Sequence, residues 1–593
     1  MKKIFELFNL KLKGLFILIL MSSMVLAQKN YINIIVPKKT ETSTKFSRYR
    51  LSANTKPGSK VKINGKKIKV YSSGAFVDLL NLKLGENFFK ITSNLNGKKI
   101  KKEIKIIRED NQLKSTDEDE IIIEDEMMLP ESDIWLGTCE VLEVRVKGTP
   151  GANVTFLDGI EMTELSETET GGIKGIYTGI YKIPNDFKMK DEQIIFILEK
   201  DGETYKKKSK AKISILPKEL PRVAKTIIKR PFLNYGLGSD RLGGAKLSFL
   251  EKGIKMIIDG KVGNQYRVRL TENQVAWIPE EQVKLLPVGT FLPKSLTESW
   301  AVYGGKNYDK VVVNLNGKLP YSTRQEVEPT KIIIDIYGAT ANTNWITQHL
   351  TSNTIKNLYY EQVGTDLFRI IIEPKQKQIW GYDINYKGTN LEITVKNQPN
   401  DLRFSNLKFI LDAGHGGSNN GSLGATGALE KDITLDIVNR LGKALEKKGA
   451  RVFKTRTRDV YLSNDDRFER IAKTNADILI SIHTNSIGYT VNPKRVSGTS
   501  TYYKHICYRP LSLAIYKRML ELELKPFGNI GNFNFALNSL TSIPNVLVET
   551  AFLSNPNDEI KLLDKEFRKK IVNQIIQGVQ DWLYECENNY VSE

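Results

Sequence analysis

The chain has 593 residues, of which 40% are apolar and 26% charged, with a formal net charge of +20. That length predicts about four or five domains, and the composition is ordinary for globular domains that each bury a core. The positive charge does not indicate a nucleic-acid binder. The lysines are scattered through strand-like segments without an aromatic-studded patch, so a polyanionic envelope is the expected setting.

Lys2, Lys3, Lys11 and Lys13 precede the apolar run LFILILMSSMVLA, Leu15 to Ala27, with small residues Val25 and Ala27 before a cut site. This pattern predicts a secretory signal peptide over residues 1–27, with an uncleaved N-terminal anchor as the alternative. The run falls short of the roughly 20 apolar residues of a membrane span. No cysteine follows Ala27 directly, so a lipid-anchored form is not indicated. Cys139, Cys507 and Cys586 are odd in number and far apart, which predicts free thiols. A metal site would therefore use histidine and carboxylate.

Residues 28–107 read as a strand-rich domain. VKINGKKIKV predicts a hairpin around Asn64-Gly65, and FFKITS is a further strand after Gly85-Glu86-Asn87. Residues 108–132 are acidic and read as a linker. Residues 133–216 are strand-rich again. Their TPGANVTF echoes TKPGSKVKI of the first block, and both blocks resemble bacterial immunoglobulin-like domains. Pro217 and Pro221 mark a boundary. In residues 222–288, YRVRL and AWIPEEQVKLL resemble the end of a bacterial Src-homology-3-type barrel. Residues 295–399 carry VVVNLNG, KIIIDIYG, FRIIIEP and LEITVKN, separated by turn residues. His349 stands alone there and is expected to be structural or at the surface.

Past Pro399 the periodicity changes. LKFIL, RVFKTR, DILISIH and NVLVETAF read as strands. ITLDIVNRLGKALEKKG places Ile433, Ile437, Val438, Leu441 and Leu445 at helical spacing, with Gly449 as the stop. NDDRFERIAKTNA, PLSLAIYKRMLELEL and a long segment from about Glu559 to Leu583 are further helices. The expected whole is multidomain: β-sandwich and β-barrel modules followed by a C-terminal α/β domain, residues 405–588, with a mostly parallel sheet. Ligands bind at the carboxyl ends of such strands. His415 in LDAGHGGSNNG, His483 in ILISIHTN and Glu549 in NVLVETAF fall at those ends, and Glu430 opens the first helix.

Two histidines and a carboxylate are a known catalytic zinc set that leaves a fourth position for water. One zinc ion held by His415, Glu430 and His483 would lower the pKa of water from about 15.7 to about 7 and polarise a carbonyl. Glu549 is the candidate general base. Buried unpaired in an apolar strand it would cost several kcal/mol, which a place at a site relieves. Gly416 and Gly417 leave room for backbone approach, and Asp412 is expected to orient a ligand histidine. His505 is expected to be no ligand.

LDAGHGG, GALEKD, KTRTRD, ADILISIHTN and VLVETAFLSN occur in the order and approximate spacing of the amidase-3 family of zinc-dependent N-acetylmuramoyl-L-alanine amidases. The resemblance covers about Leu407 to Leu583. It implies zinc on His415, Glu430 and His483, a catalytic Glu549, and cleavage of the peptidoglycan amide between N-acetylmuramic acid and L-alanine. Thr484-Asn485 after the second histidine departs from some members. The stretch from Asn485 to Asn545 is too short for the zinc-occluding helical insert of some septal members. The strands of residues 295–399, Ile332 to Ile336 with Tyr337-Gly338 above all, resemble the AMIN domain that often accompanies these amidases. The reading is an exported hydrolase of the periplasm or cell envelope, acting in wall remodelling or daughter-cell separation. Its β modules would hold it near the wall or near envelope or division proteins, with no nucleic-acid partner. Two alternatives stay open: a zinc peptidase cutting within the stem peptide, and a non-catalytic wall-binding scaffold.

Overall fold

The computed structural model describes residues 30–110, 112–217, 220–238 and 242–588. The expected signal peptide, residues 1–27, lies outside the described residues. From Ile32 to Lys396 the regular elements are strands joined by loops, apart from a one-turn helix at Glu167–Thr170 and a 3-10 turn at Glu280–Gln282. The first unit faces a three-stranded sheet (32–36, 48–55, 75–81) onto a five-stranded one (41–44, 60–63, 66–68, 85–95, 98–108). Leu51, Phe76, Ile91 and Ile106 fill the space between them. Asn64 and Gly65 both have positive φ, 46° and 84°, as a tight two-residue hairpin loop requires.

The acidic stretch after this unit is not a free linker. Ile123 and Met128 are buried in the core of the second unit, and Glu124 pairs with Lys147 at 2.5 Å. Its few apolar side chains anchor it, and its acidic ones other than Glu124 stay exposed. The strand Ile134–Gly137 then runs parallel to Glu203–Leu216 and antiparallel to Lys255–Val262, so one sheet passes from the second unit into the third. The fourth unit pairs a five-stranded sheet with a four-stranded one. Ile332, Ile334 and Ile336 lie in a core continuous with that of the third unit.

In the C-terminal domain the elements are β1 (Lys408–Ala413), α1 (Glu430–Lys447), β2 (Arg451–Lys454), α2 (Asn464–Ala472), β3 (Ile478–Asn485), β4 (Thr499–Tyr502), α3 (Arg509–Leu520), β5 (Pro526–Ile530), β6 (Asn545–Phe552), α4 (Pro556–Leu563) and α5 (Lys565–Asn588). The sheet order is β2-β1-β3-β6-β4-β5. Neighbours are parallel except β6 and β4, which are antiparallel. The alternating apolar strands bury Phe409, Leu411, Ile480 and Val548 against Ile437 and Leu441 of α1 and Ile571 and Ile575 of α5. α3 and α5 pack so closely at Gly578 that a Cβ there would lie 2.5 Å from Ile515 Cα. Trp380 of the fourth unit meets Trp582 of α5, ring centroids 5.1 Å apart, and so fixes the two units together.

Candidate active site

The sheet register places the site. His483 of β3 pairs with Glu549 of β6, and Asp412 of β1 pairs with Ser481 of β3. Three neighbouring strands therefore deliver their polar residues to one edge. His415 sits just past β1 in the left-handed region, φ 60°. Its Nδ1 lies 3.0 Å from Asn419 Oδ1, an acceptor, which leaves Nε2 facing Glu430 Oε2 at 3.2 Å. His483 Nδ1 lies 3.0 Å from Glu430 Oε1. The ligand atoms of His415, Glu430 and His483 all lie within 4.8 Å of one another.

Glu430 is the first residue of α1, so its carboxylate also meets the positive end of that helix. It is 3% exposed. The backbone N–H groups of Ser422 and Thr484 donate to its two oxygens at 2.7 and 3.0 Å. Burial pushes its carboxyl up, but hydrogen bonds from His415 and His483 outweigh that and hold it well below the usual carboxylate range. For His415, burial acts downward, and the facing Glu430 more than compensates, so its pKa is raised. An ionised buried carboxylate with two imidazoles turned on it is the donor chemistry of a zinc-type divalent ion, and the residues present fit one.

Asp412 is placed differently from the expectation. It is fully buried, and its oxygens accept from Thr455 Oγ1 and Ser481 Oγ, both at 2.7 Å, and from Arg467. It therefore holds α2 and β2 to β1 rather than orienting a histidine. Burial pushes its carboxyl up, and the Arg467 guanidinium and the nearby His483 bring it below its ordinary value. Gly416 and Gly417 make room for the chain at Val460 and Tyr461, where a Cβ would meet backbone at 2.2 and 2.4 Å. His349 stacks on Tyr303 in the fourth unit, and His505 donates to Ser539 O; neither joins the three-residue cluster.

Several residues that frame the site carry no local signal. Arg456 donates to the carbonyls of Ala413, Gly414 and Lys431 at 3.0, 2.8 and 2.7 Å. Arg467 donates to those of Ala413 and His415 at 3.0 and 2.8 Å. Together they clamp the turn that carries His415. Arg456 lies in KTRTRD, one of the segments carrying the family resemblance, but the position itself does not say what it grips. Phe535 lies parallel to the His483 ring, centroids 6.5 Å apart. It lines a cleft of about 680 Å³ with His415, Glu430, His483 and Glu549, and Leu242 of the third unit closes one side.

Donors of this kind at the strand ends of an α/β sheet form a group that could hold a metal ion. Known proteins narrow the reading. Residues 409–581 match the family described as Amidase_3, N-acetylmuramoyl-L-alanine amidase. A probable cell wall amidase of Staphylococcus aureus is 30% identical over 194 residues, 32% of this chain and 64% of that protein. The chain thus spans just under two thirds of the length of that relative. Among solved structures, an N-acetylmuramoyl-L-alanine amidase of Nostoc punctiforme is 29% identical, covering 30% of this chain and 97% of that one with TM-score 0.29. Another, from Clostridium difficile, is 28% identical, with the same coverage and TM-score. On the family match, the C-terminal segment is similar to enzyme domains of the amidase type.

Proposed function

We propose that the protein is an exported, zinc-dependent peptidoglycan hydrolase that cuts the amide between N-acetylmuramic acid and L-alanine. The observation that carries this reading is the convergence of His415, Glu430 and His483 beside Glu549 in one cleft of a domain matched to the amidase family. His415, Glu430 and His483 would hold the zinc, which when bound supplies Lewis-acid activation of water and of the scissile carbonyl. Glu430 supplies negative charge fixed by two backbone N–H groups, so it stays ionised without a proton to lose. Asn419 holds His415 in the tautomer that leaves Nε2 free for a ligand role. Glu549, on the strand next to His483, takes a proton from the attacking water and returns it to the leaving nitrogen. Phe535 and Leu242 form apolar sides that keep bulk water from the bond being cut. Residues 1–27 would direct export. The β units would keep the enzyme at the wall, with the fourth as an AMIN-type unit, in wall remodelling or daughter-cell separation.

Purified protein is expected to release intact stem peptides with a free L-alanine amine from peptidoglycan, as read by mass spectrometry. Chelation should abolish release and added zinc restore it. Glu549→Gln should lower the rate by about 100-fold or more with metal content unchanged. Cleaved rather than intact peptides would identify an endopeptidase instead, and full activity in Glu549→Gln would remove the assigned base.

A further inference from the structure

A second cavity, of about 980 Å³, lies where the third unit, the fourth unit and the C-terminal domain meet. Of the cations that line it, Lys229 and Arg324 are paired with Glu469 and Asp335, and three others face it from the third unit and the C-terminal domain. Arg230 lies between the rings of Phe249 and Phe468, 4.1 and 4.0 Å from their centroids, and donates to Ser539 Oγ at 2.9 Å. Lys246 stands 3.6 Å over the Phe232 ring and donates to Asn234 Oδ1 at 2.9 Å. Lys504 donates to Asn534 Oδ1 at 2.9 Å, with Phe249 beneath it at 5.9 Å. Among the described residues none of the three forms an ion pair.

The acids around the cavity leave this charge uncompensated. Glu469 pairs with Lys229, and Glu251 with Lys318, at 3.0 and 3.7 Å. Asp383 is satisfied by its own neighbours, Asn385 Nδ2 and Ile384 N, and Asp465 and Asp383 act on Arg230 only through space. Burial, and then the charges of Lys246 and Arg230, bring Lys504 down to about 8. Amide oxygens and aromatic faces support a cation without neutralising it, and each ammonium has three donors of which an amide oxygen takes one. Gathering like charges in a partly dry cavity is unfavourable unless a ligand supplies the opposite charge.

We propose that this cavity is an oxyanion-binding site that takes a carboxylate or phosphate group between Arg230, Lys246 and Lys504. The site exists only while the units stay together, since Lys246 comes from the third unit and Lys504 from the C-terminal domain. It is also linked to the catalytic cleft through one hydrogen bond. Asn534, which holds Lys504, lines that cleft beside Phe535 and donates to Gly244 O at 3.4 Å. A bound anion therefore stabilises the segment that borders the metal ligands. The proposal does not depend on the reaction catalysed.

The test is calorimetric titration of the zinc-loaded full chain at low salt, with inorganic phosphate in one arm and N-acetyl-L-glutamate in the other. Saturable binding is expected in at least one arm. The tighter arm says whether a phosphate or a carboxylate is the source. Lys246→Gln with Lys504→Gln should weaken that binding by about tenfold or more, while Lys504→Arg retains it. A second measurement needs no variant: acetylation of Lys246 and Lys504 at pH 8, read by mass spectrometry, should slow when the probe is saturating. No saturable binding in either arm, equal binding in the double variant, or labelling unaffected by both probes would each overturn the site.

Discussion

A methyl group on Gly421 would lie 2.5 Å from Glu430 Oε2 and 2.6 Å from the His415 ring, at a position whose φ is already 68°. Gly421→Ala should therefore weaken metal binding by about tenfold or more, read by competition with a chromophoric chelator, with only a small shift in Tm. Gly414 is equally tight: a Cβ would sit 2.3 Å from His483 Cε1. The clustering of His415, Glu430 and His483 could be foreseen from the sequence because each follows or ends a strand or opens a helix. The glycines that give them room could not, because only the folded chain shows which backbone approaches which ring. The His-Gly-Gly pattern draws attention to Gly416 and Gly417, whose tight contacts are with Val460 and Tyr461 instead. His505 gives a pH-dependent expectation. Burial lowers it to about 4, against about 6.5 in an unfolded chain. Between those values the unfolded state binds the extra proton, so stability should rise with pH across that window and the penalty be complete below it. The ring borders the open cavity, where water trims the effect to about 1–2 kcal/mol. His505→Gln should flatten the unfolding free energy between pH 4 and 6.5 in urea titrations.

β1 and α2 are joined by a buried charge pair rather than by apolar packing alone. Asp412 and Arg467 are 1% and 6% exposed and hydrogen-bonded to each other. Removing one partner leaves the other charged in the interior, so Arg467→Leu should cost about 3–5 kcal/mol in chemical denaturation. The turn carrying His415 should loosen with it. Because the Asp412 carboxyl is held below its ordinary value, its contribution is present above about pH 4 and lost as pH falls through the folded value. α2 itself is legible: Ser463 caps it, and Asp466 completes the capping box. β5 is not, since Pro526 and Gly528 in PFGNI speak against a strand and only its edge position beside β4 admits them. The long final helix is two helices, because the chain leaves helical geometry at Asp564, ψ 123°, without any proline or glycine to announce it.

Across the whole molecule, the first unit docks on the last. Arg50 N donates to Tyr489 O at 2.6 Å, Asn54 Nδ2 to Ala425 O at 2.9 Å, and Lys494 reaches Asp78 at 2.9 Å. Tyr49 stacks on Tyr489, 5.5 Å between centroids, and Ala425 and Ile560 join an apolar cluster with Tyr71 and Val77. These contacts grip the loops before Glu430 and after His483. Lys494→Glu with Tyr489→Ala should raise proteolytic cleavage and hydrogen exchange across residues 487–494, while the core of the C-terminal domain keeps its protection. No sequence pattern forecasts this contact, because its hydrogen bonds join residues 371 or more positions apart and use backbone carbonyls that every residue possesses. The acidic stretch of residues 108–132 is similar: its composition is that of a linker, yet Ile123 and Met128 decide its place.

The return of the first unit to the last changes what the length of the chain means. Modules strung ahead of a catalytic domain ordinarily give it reach, since each adds its own span to the distance from a tether. Here strand 48–55 lies within hydrogen-bonding distance of the catalytic loops, so the path through the β units closes on itself. The extra chain acts as bracing rather than as an arm. Whatever enters the cleft must come close to the first unit, and a longer chain of such units would stiffen the ring without widening the territory it serves.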